Sequence, residues 1–479
     1  MSDLILEAWV CGLVEIAKLR ATPKARDSWT PGKQLKLLIA GYNGARNTGE
    51  EVRVEEIVRQ FRRVLGADNV QLSVLTLNPD FSREYYGDAA QVRLPFIFPP
   101  FLYQLVPRYD GVVSSCGAMF MSKFSNVPSI MMIEALGIAS AQGKLSVAYG
   151  GEAGAMDPML ASMCRRYCAR TSMIIRNEES RSALQKLGIR SQVGTDTAWT
   201  FEPLGSDFGR KTLRDAGWDG HQPILVVCPN NPFCWPVKPS VFKAVAMALT
   251  NAYEDSHYQS IYFHRSGAMV KAAYQRYVTA LANAIGAFRK HRGVFPILVG
   301  MERLDCDPCQ RISDRLGGIP VFTSEQFNAF QLVSILRCCD MLVSSRYHAV
   351  VTSMGGLVPS AGVTMDERIR NLMGERGHAH LVVEADDSQL EPKLLEVLDR
   401  LTKDREAIAD AIGRTVVKNL KAMAQMGVYL EEEVRQHHPN FPALGGKRSW
   451  EEYLPPLGPN LCSLIEKYES GNEAARSAN

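Results

Sequence analysis

Short apolar segments alternate with amphipathic helical segments along most of this 479-residue chain. The alternation predicts parallel β-sheets that are covered by helices on both faces. It begins with a strand at residues 36–40, stops over residues 202–222 and restarts with a strand at residues 224–228. A chain of this length exceeds one ordinary hydrophobic core. The sequence therefore predicts an α/β protein in which two Rossmann-like domains, residues 35–205 and 206–392, face each other across a cleft.

Helical segments are predicted at both ends of the chain. Apolar residues at helical spacing predict a helix over residues 2–20, and a polar, proline-containing linker completes the segment 1–34. Lys18 and Arg20 leave open a peripheral contact with a membrane, and the apolar face leaves open packing within the chain or a homo-oligomer. Residues 393–479 predict a helical extension that packs across the domains and ends in a polar, disordered tail.

Composition and charge exclude several classes of protein. A net charge of +3 and an isoelectric point of about 8.2 are too mild to indicate a nucleic-acid partner. No apolar run reaches the roughly 18 residues that span a bilayer. The N-terminus does not resemble a secretory leader and the eleven cysteines are scattered, so we expect a cytoplasmic protein, or one at the inner face of the membrane. Cys306 and Cys309 form a lone CxxC pair, so we predict neither a metal site nor a cofactor.

Two cations and an imidazole follow consecutive strands in the second predicted domain. The apolar run 341–343 ends just before Arg346 and His348, and the strand at residues 360–363 leads to Arg368. Ligands of open parallel sheets bind in the crevice beyond the carboxyl ends of the strands. These side chains suit an anionic ligand and a proton transfer near neutral pH.

A glycine-rich turn follows the first predicted strand. It contains Gly44, Asn47 and Gly49, and the next helix begins with Glu50 and Glu51. Glycines allow a ligand to approach the backbone closely, and the N-terminus of a helix attracts anions. The turn lacks the spacing of a dinucleotide-binding motif and the lysine of a P-loop, so a tight βα turn is the alternative interpretation.

Taken together, these motifs resemble the polysaccharide pyruvyl transferase family over residues 36–385. The matching segments are Gly41-Tyr42-x-Gly44-x-x-Asn47-x-Gly49, Gly150-Gly151-Glu152-Ala153-Gly154, Ile175-Arg176-Asn177-Glu178, Asp196-Thr197-Ala198, Ser345-Arg346-Tyr347-His348-Ala349 and Met365-Asp366-Glu367-Arg368. Two positions differ from the family's pattern, because Cys116 replaces a glycine and Arg368 replaces a lysine.

The resemblance implies a GT-B-like pair of domains and a reaction. A pyruvyl group would pass from phosphoenolpyruvate to a sugar or lipid-linked saccharide, a precursor of a surface polysaccharide or glycolipid, usually as a ketal. The expected catalytic residues are His348 and Arg346. The residues expected to bind the donor are Arg176, Arg368, Gly44, Asn47 and Gly49. Those expected to bind the acceptor are Glu50, Glu51, Glu152 and Asp196.

Two other functions stay open at the level of the sequence. A GT-B glycosyltransferase that uses a nucleotide sugar would share the two domains and the basic cleft. A non-catalytic family member would have lost donor binding through the changed turn at residues 114–117. The acceptor sugar, the choice between a ketal and an enol ether, and the oligomeric state are also open.

Overall fold

The computed structural model describes residues 3–21, 30, 32–250, 252–259, 261–364, 366–442 and 448–477. Most of the predicted linker lies outside these residues, as does Met365. Two parallel sheets flanked by helices confirm the predicted α/β class and the two Rossmann-like domains.

The first sheet is built from the N-terminal part of the chain. Its strands are β1 (Leu35–Ala40), β2 (Val70–Thr76), β3 (Ala90–Arg93), β4 (Gly111–Ser114), β5 (Ala118–Phe120), β6 (Leu145–Ala153), β7 (Ser172–Ile175) and β8 (Gln192–Val193). They are parallel in the order β3-β2-β1-β4-β6-β7-β8, with β5 beside β6. Every residue of β4 and β6 is buried, as strands covered on both faces require. The order changes direction between β1 and β4, which is the topological switch point of this sheet.

The second sheet repeats this plan. The later strands are β9 (Ile224–Cys228), β10 (Lys238–Pro239), β11 (His257–Gln259), β12 (Tyr262–Phe263), β13 (Phe295–Gly300), β14 (Val321–Thr323), β15 (Met341–Ser344), β16 (Ser360–Thr364) and β17 (Val382–Glu384). Six of them form a parallel sheet in the order β14-β13-β9-β15-β16-β17, and its switch point lies between β9 and β15. The other three form a small antiparallel sheet in the order β10-β12-β11.

Helices cover both sheets. They are α1 (Asp3–Arg20), α2 (Thr48–Leu65), α3 (Pro79–Ser82), α4 (Pro99–Leu105), α5 (Asn126–Ala141), α6 (Pro158–Tyr167), α7 (Glu178–Gln185), α8 (Ser206–Asp215), α9 (Val241–Thr250), α10 (Ala268–Arg292), α11 (Cys306–Arg315), α12 (Ala329–Arg337), α13 (Tyr347–Met354), α14 (Glu367–Glu375), α15 (Leu390–Lys403), α16 (Arg405–His437) and α17 (Pro459–Ser477). Within the described residues, no helix is both long and apolar enough to cross a membrane.

The terminal helices pack on the two domains. Leu6, Val10 and Val14 of α1 are buried, and α1 packs on helices α4, α5 and α6 of the first domain. Helix α16 contacts α2 of the first domain and α13 of the second, so the C-terminal extension does cross both domains.

Three helical segments differ from the sequence prediction. The alternation does not predict α10, although Leu281, Ile285 and Phe288 recur on its buried face at helical spacing. The extension is divided into α15 and α16 at Asp404, which ends the first of them. The prediction of a disordered tail is wrong for residues 469–477, which continue α17.

Candidate active site

The loops that follow the switch-point strands of both sheets meet in one crevice. Gly117 lies in the loop after β4, and a Cβ at this position would be 2.9 Å from Oε1 of Glu50. The same Cβ would be 3.3 Å from Nη2 of Arg176 and 3.4 Å from Cε1 of His348. These side chains come from α2, from the loop after β7 and from α13. A carboxylate, a guanidinium and an imidazole from two domains therefore surround one glycine.

His348 is placed by the start of α13, directly after β15. A side chain at position 49 would overlap its ring, so Gly49 makes the room that the imidazole occupies. Nε2 lies 3.3 Å from Oδ2 of Asp196. Burial lowers the pKa of His348 below 6.5, although Asp196 acts in the opposite direction. A neutral ring beside a carboxylate carries its proton on Nε2, which leaves Nδ1 as the proton acceptor.

Asp196 links the imidazole to two arginines. Its Oδ2 accepts a hydrogen bond of 3.1 Å from Nε of Arg53 and lies 3.5 Å from Nε of Arg176. Its Oδ1 accepts a hydrogen bond of 2.9 Å from the backbone N–H of Ala198. Burial alone would raise the pKa of Asp196, but Arg53, His348 and Arg176 together hold it well below the usual range. Asp196 is therefore an anion that orients the imidazole and fixes its tautomer.

Arg53 is a site residue that the sequence analysis missed. It is fully buried on α2 and donates to the backbone oxygens of Ser115 at 2.8 Å and Gly150 at 2.9 Å. It also donates to Oε2 of Glu50 at 3.2 Å, in addition to its bond with Asp196. One guanidinium thus ties together the loop after β4, strand β6 and two site carboxylates. A charged residue between the apolar Val52 and Val54 is the one signal for it in the sequence.

Arg176 lies at the centre of the crevice. Nη2 donates to the backbone oxygen of Gly117 at 2.5 Å, and the guanidinium lies 4.5 Å from the centroid of the Tyr347 ring. Nη1 is 3.2 Å from Oε2 of Glu152, but neither Nη1 nor Nε has a well-aligned hydrogen-bond acceptor among the described residues. Burial raises the pKa of Glu152, and the charges of Arg176 and Arg368 oppose that rise. Arg176 therefore keeps donor capacity inside a buried site.

Arg368 lies in the first turn of α14, where its charge interacts with Glu152 and Arg176. Asp366 caps the helix, accepting from the backbone N–H of Arg368 at 3.0 Å, and forms an ion pair of 2.8 Å with the Arg368 side chain. The guanidinium lies 4.8 Å from the centroid of the Phe124 ring. The structure thus brings Arg176, Arg368 and His348 to one region.

Arg346 has a different environment. Its Nε donates to both carboxylate oxygens of Asp305, at 3.0 and 2.8 Å, and its Nη1 lies 2.8 Å from Oε2 of Glu302. Burial raises the pKa of Asp305 to about 6, against the lowering effect of Arg346. The charge of Arg346 is therefore matched by carboxylates of its own domain. The structure does not bring this arginine into the group around His348.

Three residues of the glycine-rich turn have partners within the turn. Gly44 has φ +71°, and a Cβ there would overlap Thr76. Asn47 caps α2, its Oδ1 accepting from the N–H groups of Gly49 at 3.1 Å and Glu50 at 3.3 Å. Glu51 accepts from the N–H of Gly44 at 2.8 Å and from the hydroxyl of Tyr86. These contacts shape the turn that positions Gly49 and Glu50.

In the part of the chain that the structure describes, no three His, Cys, Asp or Glu side chains are grouped so as to hold a metal ion. Burial raises the pKa of the Cys116 thiol to about 12, so the cysteine beside Glu50 is a neutral group.

Comparison with known proteins decides the family. The family model described as polysaccharide pyruvyl transferase matches residues 47–367, which include the loops around His348, Arg176 and Asp196. The chain belongs to the polysaccharide pyruvyl transferase family. No curated protein sequence matches this family member.

Solved structures show its fold. A Listeria monocytogenes protein described as a UDP-N-acetylglucosamine 2-epimerase is similar with a TM-score of 0.50 and 11% identity, over 84% of this chain and 98% of that one. The UDP-GlcNAc 2-epimerase of Neisseria meningitidis has a TM-score of 0.49 and 11% sequence identity, and the match covers 84% of this chain and 100% of that one. A UDP-glucosyltransferase from Polygonum tinctorium has a TM-score of 0.48 and 10% sequence identity, and the match covers 85% of this chain and 99% of that one. With the two parallel sheets, the first likeness confirms the predicted GT-B-like fold.

Proposed function

We propose that this pyruvyl transferase takes its pyruvyl group from phosphoenolpyruvate and transfers it to a sugar of a surface polysaccharide or glycolipid precursor, forming a ketal. The observation that supports the proposal best is the meeting of Arg176 and His348 over Gly117. A guanidinium and an imidazole from different domains both lie near this glycine.

Arg176 and Arg368 are the proposed donor-binding residues. Phosphoenolpyruvate carries a phosphate and a carboxylate, and guanidinium groups bind both through forked hydrogen bonds. Nε and Nη1 of Arg176 have no well-aligned acceptor among the described residues, so they can donate to an incoming anion. Protonation of Glu152, whose pKa is already raised by burial, would release Nη1 of Arg176 to the donor.

The proton balance of ketal formation suits a single group that acts as both acid and base. The first sugar hydroxyl adds to C2 of phosphoenolpyruvate and loses its proton, while the methylene carbon C3 gains one. The neutral imidazole of His348 can take the hydroxyl proton and supply a proton to C3. A second hydroxyl then displaces phosphate from C2, and its proton leaves with the phosphate.

The acidic residues and Arg346 divide into two groups in this scheme. Glu50 and Glu152 border the crevice beside Gly117 and Arg176, so we assign them to the acceptor hydroxyls. Asp196 and Glu51 are buried with partners inside the protein and act through His348 and the turn. Arg346 holds Asp305 and Glu302 and is a positioning residue, not a catalytic one.

Phosphate release from phosphoenolpyruvate, measured with a panel of saccharide acceptors, tests the proposal. We expect His348→Ala to abolish release and Arg176→Met to raise KM for phosphoenolpyruvate by tenfold or more. Arg311→Met is the matched control, since Arg311 is exposed on α11. Thermal stabilisation by nucleoside diphosphates but not by phosphoenolpyruvate would instead indicate a nucleotide-sugar enzyme. A folded protein that no anion stabilises would indicate a non-catalytic member.

A further inference from the structure

An apolar cavity of about 520 Å³ adjoins the active site. Its walls are the turn after β1, the segment before α4, the first turns of α5 and the small antiparallel sheet. Phe98, Val127 and Met131 are among the side chains that line it. A lining of this kind offers few hydrogen-bonding groups, so it suits an apolar ligand and not a sugar.

The cavity and the active site share one turn of the backbone. Gly41 and Tyr42 line the cavity and begin the turn that ends at Gly49, beneath the imidazole. A Cβ at Gly41 would be 2.8 Å from Oγ of Ser115, whose backbone oxygen accepts from Arg53. The hydroxyl of Tyr42 is hydrogen-bonded at 2.6 Å to that of Tyr258 on the opposite wall. One wall of the cavity is therefore the start of the turn that leads to Gly49 and His348.

The rim of the cavity is apolar and exposed. Phe96 and Ile97 line the cavity and are 59% and 52% exposed. Leu6 also lines it, and its neighbours Leu4 and Ile5 on α1 are 67% and 57% exposed. Apolar residues clustered at the rim of an apolar cavity indicate a ligand that arrives from an apolar phase. Arg93 is exposed in the same lining and places a cation beside the rim.

From this arrangement we infer that the cavity binds the hydrocarbon chain of a lipid-linked saccharide acceptor. The chain fills the cavity and its sugar reaches the crevice at His348. The inference rests on the proposed function, because it identifies the class of acceptor for the same site. It also gives the apolar rim a role, which is to receive the chain from the membrane surface.

A series of n-alkyl β-D-glucosides with six to ten carbons, below their micellar concentrations, tests chain binding by calorimetry. Burying one methylene group contributes enough to tighten Kd about fourfold. We therefore expect Kd to fall by that factor for each added carbon. Val127→Trp, which fills the cavity, should weaken binding of the ten-carbon glucoside by tenfold or more. Val245→Trp is the matched control, because Val245 is 52% exposed on α9 and lies outside the lining.

Three results would overturn the inference. The first is a Kd independent of chain length, and the second is equal weakening by both valine substitutions, which would indicate adsorption to exposed surfaces. The third is weaker binding of the alkyl glucoside at higher protein concentration. That result would mean that a second copy of the protein competes with the glucoside for the cavity. Melting temperatures establish that Val127→Trp is folded.

Measuring phosphate release from phosphoenolpyruvate distinguishes a failure of this inference from a failure of the proposed function. Phosphate release with a water-soluble saccharide but no chain-length effect would leave the function intact and remove the lipid-binding role. Chain binding without phosphate release from any acceptor would contradict the proposed function, and with it the assignment of the chain to an acceptor.

Discussion

The imidazole of His348 occupies the space that a side chain at position 49 would fill. Gly49 belongs to the first turn of α2 in one domain, and His348 begins α13 in the other. The fit between them brings Nδ1 against the start of α2 while Nε2 faces Asp196. The glycine is thus required by packing between domains, since its φ is not in the left-handed region.

Gly49→Ala should remove activity while leaving the protein folded. The new methyl group must displace the imidazole, and loss of a positioned acid–base group lowers rates by about 100-fold to 10,000-fold. Overpacking should cost about 1–3 kcal/mol of stability. Phosphate release and the melting temperature measure the two effects. Gly12→Ala is the control, because a Cβ there meets no atom within 4 Å. Full activity in Gly49→Ala would show that the imidazole can move freely.

The pH dependence of turnover should report His348. Its folded pKa lies below 6.5 because of burial, and the neutral ring is the proposed base. Activity should therefore persist as pH falls to 6.5 and be lost at lower pH, as the ring becomes protonated. Asp196 raises this pKa, so Asp196→Asn should move the acid limb to still lower pH and reduce kcat by about 100-fold or more through loss of orientation. A wild-type acid limb above pH 6.5 would contradict the assignment.

Local patterns in the sequence predict the central strands of both parallel sheets, but not the edge strands β3 and β17. The strand at residues 224–228 has the predicted bounds, and the ends of the strands before Gly41 and Arg346 lie at the two switch points. A switch point collects the polar residues that follow buried strands, so His348 can be proposed before any coordinates are known. Arg176 follows β7, away from the switch point, and its prediction rests on the resemblance to the family motif.

Side-chain partners that lie far apart in the chain cannot be predicted in this way. Arg53 meets Asp196, which lies 143 residues later, and a helical pattern gives no indication of such a contact. Arg346 has the sequence context of a ligand-binding residue, yet Asp305 and Glu302 neutralise it from the loop after β13. Whether an arginine is available to a ligand depends on which carboxylates the folded protein brings close to it, and local sequence patterns do not show this.

Arg53→Met should destabilise the protein strongly. The substitution leaves Glu50 and Asp196 buried without their shared cation, and it removes the hydrogen bonds to Ser115 and Gly150. Breaking a buried ion pair by removing one partner costs about 3–5 kcal/mol. Denaturant-induced unfolding measures the cost. Arg63→Met on the exposed face of the same helix should stay within about 0.5 kcal/mol of wild type. Equal effects of the two substitutions would mean that Arg53 is not a structural centre of the site.

Glu51→Gln should change how stability depends on pH. Burial raises the pKa of Glu51 from 4.5 to about 7, against the lowering effect of the Tyr86 and Gly44 hydrogen bonds. The folded state therefore holds this proton more tightly than the unfolded chain. The resulting stabilisation is present below pH 4.5 and is lost as pH rises through about 7.

Glutamine stays neutral throughout this range. The free energy of unfolding of Glu51→Gln, relative to wild type, should therefore increase by about 3 kcal/mol between pH 4.5 and pH 8. Urea unfolding at several pH values measures the difference, and Glu254→Gln controls for the loss of one carboxylate. Parallel pH curves for wild type and Glu51→Gln would mean that Glu51 is ionised at neutral pH, and that the turn before Gly49 is held by a charged group.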